Sequence, residues 1–338
     1  MLSFISRRRW LLLGLISVLF CLLASPFFLV FSTRQENIIY LDRQDTLEQI
    51  LQQSKAANWA TKAAFRVLAQ LTGYGYPVRA GRYDIGSGQS TLTVFRHLRN
   101  GHQAPVRLTI PVLRTNADLA TFLGNNLRPD AKEFLQQLND SAAMARWGKT
   151  PATAVCLFIP NTYEIYWTSS VDEVMKRMQR ESRLFWTKQR QAQAKSQQLT
   201  PDEVLTIASI VEQETAYNPE KPRVAGMYLN RLRSRMPLQA DPTIKFALQD
   251  FTLKRILQKH LSVKSPYNTY RNAGLPPGPI CIPSVSSIES VLKAERHPYI
   301  YMCAKEDFSG SHNFAVTYTE HQANAQKYAD ALDKAGIK

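Results

Sequence analysis

Thr200-Pro201-Asp202-Glu203-Val204-Leu205-Thr206-Ile207-Ala208-Ser209-Ile210-Val211-Glu212-Gln213-Glu214 is the stretch on which the reading of this chain turns. Thr200 caps a helix, Pro201 takes its first position and Glu203 reaches back to close a capping box. Val204, Ile207, Ala208 and Val211 then form one apolar stripe at helical spacing, with Glu212 on its edge. Glu214, two residues on, lies ~200° further around an ideal helix and faces elsewhere. Apolar neighbours and the negative end of the helix both favour the protonated form of Glu212, which is the form a general acid requires. A glutamate that merely pairs with Arg223 or another cation is the structural alternative, and these residues alone leave both readings open.

Downstream, Asn218-Pro219-Glu220 starts a second helix that turns Val224, Met227, Tyr228 and Leu232 inward and carries Asn230 and Arg231 at its far end. Leu238-Gln239-Ala240-Asp241-Pro242-Thr243 reads as a polar loop, with Asp241 in turn chemistry or serving as a functional carboxylate. Pro266-Tyr267-Asn268-Thr269-Tyr270 offers two rings, an amide and a hydroxyl suited to sugar faces, and Gly274-Leu275-Pro276-Pro277-Gly278-Pro279 is a stiff irregular loop. Ser286-Ser287-Ile288-Glu289 predicts another helix, residues 299–303 and 312–318 a strand pair, and Thr319-Glu320-His321-Gln322 the cap of a last helix that turns Ala325, Tyr328, Ala329 and Leu332 inward. Residues 175–199, dense in Lys, Arg and Gln, read as one solvated helix.

Upstream, Arg7, Arg8 and Arg9 precede an uncharged apolar run over residues 10–32. At ~1.5 Å per residue this run crosses the ~30 Å hydrocarbon layer, and it is too long for a cleavable signal. The arginines place residues 1–9 in the cytoplasm and send the rest outward. Cys21 then lies in the membrane, and Cys156, Cys281 and Cys303 read as small hydrophobes with at most one disulfide among them. Residues 37–102 alternate strand, helix, helix, strand, helix: a small α+β unit that either binds carbohydrate or acts as a spacer.

The chain has 338 residues, 44% hydrophobic and 20% charged, which excludes disorder and allows about two domains. Its +15 net charge calls for an anionic partner, and export leaves lipid or cell-wall polymer rather than nucleic acid. Six histidines without HExxH spacing give no expectation of a metal, and neither a GxSxG elbow nor a phosphate loop is present, so no cofactor is expected. Glycosidic-bond chemistry on one protonated glutamate remains, with Asp241 the only obvious second carboxylate.

The series Ile207 to Thr215, Asn230-Arg231-Leu232, Leu238 to Thr243, Tyr267 to Tyr270, Gly274 to Ile280, His312-Asn313-Phe314 and Thr317-Tyr318 with Glu320-His321 strongly resembles the endolytic murein transglycosylase family (MltG, or YceG-like), in the same order and over nearly the whole chain. The resemblance implies a transmembrane helix at 10–32, a LysM-like α+β module at 37–103 and a larger mixed α+β catalytic domain at 104–338. It implies cleavage of the β-1,4 bond between N-acetylmuramic acid and N-acetylglucosamine in nascent peptidoglycan, without water, to leave 1,6-anhydro-muramyl ends that terminate strand elongation. Glu212 matches the catalytic acid, first donating to the leaving oxygen and then taking the proton of the C6 hydroxyl. Glu214, Asn230, Gln239, Asp241, Thr243, Tyr267, Asn268 and Thr269 match substrate-binding positions of the cleft. Penicillin-binding proteins and the elongation machinery are the partners the family suggests, and the cytoplasmic membrane with an extracytoplasmic catalytic domain the location. Three places depart from the family pattern: Val112-Leu113 stands for Glu-Gly after Thr109-Ile110-Pro111, Lys245 for an aliphatic residue, and Cys281-Ile282-Pro283-Ser284 for a small residue, asparagine, proline and glycine. The rival readings are a non-catalytic peptidoglycan-binding scaffold for cell-wall synthases and a hydrolase using Asp241 as base.

Overall fold

The computed structural model describes residues 2–31, 38–54, 57–86, 88–253 and 255–336, the side chains of 2–8 excepted. Met1, residue 32 and Asn37, which enter the expected segment boundaries, lie outside the described residues. The chain divides into one unit of Met1–Arg107 with Glu164–Ser169 and a second of Leu108–Tyr163 with Ser170–Lys338. Both are mixed α+β, and the described strands form three two-stranded sheets.

The first unit opens with α1 (Leu2–Phe28), whose segment Arg9–Phe28 is long and apolar enough to cross a membrane. The apolar run does not continue as helix to its end. Leu29 and Val30 leave the helix, and Phe31 turns into the unit's own core, fully buried against Phe65 and donating its N–H to the Gln89 carbonyl at 2.8 Å. Then follow β1 (Ile38–Leu41), α2 (Leu47–Gln53), α3 (Trp59–Thr72), β2 (Gly81–Asp84) and α4 (Thr91–Asn100). β1 and β2 pair antiparallel, Ile39 opposite Tyr83. Each helix starts at a polar cap (Thr46, Asn58, Ser90), and α3 and α4 stop at Gly73 and Gly101 in the left-handed region. Ile39, Leu41, Ile50, Phe65, Tyr83 and Phe95 close the core.

β3 (Val106–Thr109) pairs with β4 (Thr162–Ile165). Between them run α5 (Asn116–Asn126), α6 (Ala131–Asn139), α7 (Ser141–Ala145) and a 3-10 turn at Pro151–Leu157. The basic segment is two helices, α8 (Val171–Phe185) and α9 (Lys188–Ser196), parted where Trp186 turns inward and Thr187 caps the second. It is not wholly solvated either, because Val174, Met175 and Met178 are buried. α10 (Pro201–Glu214) carries the capping box read from the sequence, and Val204 through Val211 are all buried. A helix buried on every side over this stretch forms the axis of the second unit's core.

α11 (Lys221–Arg233) packs on it, followed by α12 (Asp241–Leu248), α13 (Val285–Leu292), β5 (Tyr301–Ala304), β6 (His312–Ala315) and α14 (Tyr318–Lys334). Asp241-Pro242 is therefore the first turn of a helix rather than a loop, with proline where its missing N–H costs nothing. α13 is capped by Ser284 and α14 by Thr317, both earlier than expected. α14 has no fully buried residue and leaves Ala329 exposed. All four cysteines are free thiols; Cys156 and Cys281 are buried and Cys303 is half-buried.

Candidate active site

Three consecutive side chains at the end of α10 go to three different neighbours. Glu212 Oε2 accepts from the Ser284 hydroxyl, from the Ser284 backbone N–H at 3.1 Å, from the Ser287 hydroxyl at 2.5 Å and from the Lys221 ammonium at 3.3 Å. Gln213 Oε1 accepts from Arg114 at 3.2 Å, while its amide points at Cys281 Sγ, 3.7 Å away. Glu214 Oε1 accepts from the Tyr228 hydroxyl at 2.5 Å. The Glu212 side chain is 16% exposed and that of Lys221 4%.

This arrangement reverses the expected charge state of Glu212. Burial, the largest single influence, raises its pKa, but the Ser284 and Ser287 hydrogen bonds and the Lys221 charge together outweigh burial and hold the carboxyl below its ordinary value. The cation is Lys221; Arg223 instead pairs with Glu295 at 3.1 Å. The raised carboxyl is Glu214, where burial dominates and the Asp241 charge adds to it, against the opposing Tyr228 bond, His312 and Lys245.

Other family-matched positions divide by what their side chains hold. Thr243, Asn268 and Thr269 are buried. Thr243 Oγ1 donates to the Ala240 carbonyl at 2.7 Å and meets Thr269 Oγ1 at 2.8 Å, and Thr269 Oγ1 accepts from the Ala240 N–H at 3.0 Å. Asn268 donates to the carbonyls of Leu261 and Val263 at 2.9 and 2.8 Å and accepts from the Tyr270 N–H at 3.0 Å. Thr243 and Thr269 tie the Tyr267–Tyr270 segment to the start of α12, and Asn268 ties it to the Leu261–Val263 backbone, so all three side chains are engaged in holding the fold. Asn230 is similarly engaged, donating to the carbonyls of His297 and Tyr299 at 2.7 and 3.0 Å.

Asp241, Gln239 and Tyr267 are placed differently. Asp241 is exposed and accepts from the Tyr270 hydroxyl at 2.5 Å. Gln239 is exposed in the left-handed region at φ 50°, with its Oε1 accepting from Arg231 at 3.1 Å. The Tyr267 ring lies 4.6 Å from that of Phe246, and burial pushes its hydroxyl pKa up to about 12.

One further loop locks the helix that carries the acids. The Ser209 hydroxyl, buried mid-helix, accepts from the Ile280 N–H at 3.0 Å and so fastens the proline-rich loop to α10. In that loop a Cβ at Gly278 would fall 2.0 Å from the Ala152 carbonyl oxygen, so only glycine fits. From the motif His312-Asn313-Phe314, His312 Nδ1 lies 2.8 Å from Glu220 Oε2, the acid that precedes Lys221.

The partners of Glu212 escaped the sequence reading. Lys221 follows the Asn-Pro-Glu helix start, and Ser284 and Ser287 belong to a run of serines legible only as a cap.

In class this is an α+β protein whose larger unit gathers a carboxylate, two serine hydroxyls and an ammonium at one point. The profile of the YceG-like family matches residues 39–327, and the chain belongs to that family. It is 26% identical over 272 residues to the endolytic murein transglycosylase of Bacillus subtilis (strain 168), covering 76% of this chain and 74% of that protein. It is 29% identical over 289 residues to the endolytic murein transglycosylase of Streptococcus pneumoniae (strain R6), covering 75% of this chain and 51% of that one, about half the relative's length. A crystal structure of a yceG-like protein from Listeria monocytogenes superposes with a TM-score of 0.57 at 26% identity, over 86% of this chain and 99% of the other.

Proposed function

We propose that this protein is a membrane-anchored endolytic lytic transglycosylase of peptidoglycan, with Glu212 as its acid and base. The observation that carries this reading is the fourfold hydrogen bonding of Glu212 Oε2, in a chain whose relatives bear that activity in their names. Protonated Glu212 donates to the glycosidic oxygen as the bond from C1 of N-acetylmuramic acid breaks. The resulting carboxylate takes the proton of the C6 hydroxyl, whose oxygen closes on C1 to give the 1,6-anhydro end. One residue is both acid and base, and no water enters.

The donors around Oε2 serve the middle of this cycle. Each is aimed at the carboxylate, the form left by the first proton transfer, so Ser284, Ser287 and Lys221 stabilise the state in which charge has developed. The cost is a free enzyme that rests ionised and must pick up a proton to begin. Asp241, Gln239 and Tyr267 act as direct sugar contacts in this reading, Glu214 shapes the cleft beside them, and Asn230, Thr243, Asn268 and Thr269 hold the backbone in position. The helix α1 is the anchor, residues 1–9 stay cytoplasmic, the remainder lies outside the cytoplasmic membrane, and the unit at 37–103 is a LysM-like module preceding a catalytic domain at 104–338. Penicillin-binding proteins and the elongation machinery are its expected neighbours.

The test is digestion of purified glycan strands by the full chain in detergent, with mass analysis of the new ends. Anhydro-muramyl ends that vanish with Glu212→Gln support the reading. Reducing ends carrying solvent ¹⁸O indicate a hydrolase using Asp241, and wall binding without any cleavage by either protein indicates a scaffold.

A further inference from the structure

A small, partly open cavity of about 50 Å³ lies beside Gln213, the residue next to Glu212. Its walls are the aromatic rings of Phe246 and Phe251, the Gln213 amide, Pro242, and the cationic ends of Arg114 and Lys245. Arg114 lies over the Phe251 ring at 4.8 Å while donating to Gln213, which fixes the guanidinium at the edge of the cavity. Neither Arg114 nor Lys245 has an ion-pair partner among the described residues. Asp241, one helical turn before Lys245, takes the Tyr270 hydroxyl, and Glu214, on which the Lys245 charge acts, takes that of Tyr228. The cavity lining therefore presents two positive charges and no carboxylate.

Such walls suit one kind of ligand. Aromatic faces accept the apolar side of a sugar ring or an alkyl arm, and two convergent cations accept a carboxylate. We propose that Arg114 and Lys245 bind a carboxylate carried by the glycan next to the cleavage point, on the lactyl arm of muramic acid or on its stem peptide, and so select strands by the charge of that substituent. This rests on the glycan-cleaving reading above and names the substituent it favours.

The experiment measures binding, so that it stands apart from cleavage. The full chain carrying Glu212→Gln is titrated in detergent with fluorescent glycan strands bearing peptides, strands stripped of peptides by an amidase, and both kinds after conversion of their carboxyl groups to amides. Amidation weakens binding by about fivefold, the scale of a partly exposed charge contact. Lys245→Met combined with Arg114→Met removes that difference, and Lys245→Arg preserves it; Lys245→Gln replaces the methionine variant should that one fail to fold. A difference confined to peptide-bearing strands assigns the stem peptide, one confined to stripped strands the lactyl arm, and either supports the proposal. Equal binding of amidated and free strands, or a preference that survives loss of both cations, overturns it. Cleavage by the chain with Glu212 intact is scored separately: its absence overturns the transglycosylase reading, while the binding preference still decides the pocket.

Discussion

Glu212 Oε2 and the Lys221 ammonium stand 3.3 Å apart, the acid at the end of α10 and the cation at the start of α11. A three-residue 3-10 turn, Asn218–Glu220, leads straight into Lys221 and brings a nearly buried cation back onto the carboxylate. The charge state of the candidate acid is thus set by the way the chain reverses between two helices.

Removing that cation moves the pH dependence of activity. Lys221→Met deletes one of the influences that hold the Glu212 pKa down, so the pKa rises and the protonated form survives to higher pH. The descending limb of kcat/KM against pH shifts upward in the variant, read by anhydro-end formation across a pH series. The sign for stability runs the other way. A carboxyl with a depressed pKa stabilises the fold above its unfolded-state pKa and loses that contribution as pH falls through the folded value, so the variant loses less stability on acidification.

Tyr228→Phe leaves Glu214 without its hydroxyl donor at a site where burial already disfavours charge. The expected cost is about 1–3 kcal/mol, the usual range for a buried polar group deprived of its partner. Because the Glu214 pKa is raised in the fold, stability falls as pH rises from the unfolded toward the folded value. Removal of the Tyr228 bond raises the folded value again and extends that fall to higher pH. Thermal unfolding at acid and neutral pH checks both the size and the direction.

Gly278→Ala forces a methyl group to within 2.0 Å of the Ala152 carbonyl oxygen, a backbone atom that cannot rotate away. The proline-rich loop must shift, at a cost of roughly 1–3 kcal/mol typical of overpacking. Ile280 moves off Ser209 with it. A lowered unfolding midpoint is the expected result.

Asn268→Ala deprives the Leu261 and Val263 carbonyls and the Tyr270 N–H of their partner inside the fold. A loss on the order of 2 kcal/mol is expected from the unmet backbone groups. The Tyr267–Tyr270 segment loosens, so KM for glycan rises more than kcat falls, as steady-state kinetics will read.

The axis of the larger unit was legible because its signals are local: Thr200, Pro201 and Glu203 announce the start of α10, and the apolar run from Val204 to Val211 announces its burial. The surroundings of Glu212 were not legible, because its donors come from 9, 72 and 75 positions away and no periodicity links them. Apolar neighbours and the helix end made Glu212 look protonated; only the three-dimensional donor set reverses the balance. Asn268 and Thr269 matched as site residues for a related reason: a side chain that holds a loop and one that touches a ligand look the same in a sequence. Only the fold shows both of them buried, at zero and 1% exposure, and bonded to backbone groups. Phe31 was counted with the membrane run because hydropathy does not distinguish lipid from protein core.

That phenylalanine limits how far the smaller unit can stand from the end of α1. Only Leu29 and Val30 separate the end of α1 at Phe28 from a side chain sealed inside the folded unit, a leash of ~10 Å even when taut. With α1 in a bilayer, the smaller unit has almost no slack and rides at a fixed height over the lipid headgroups.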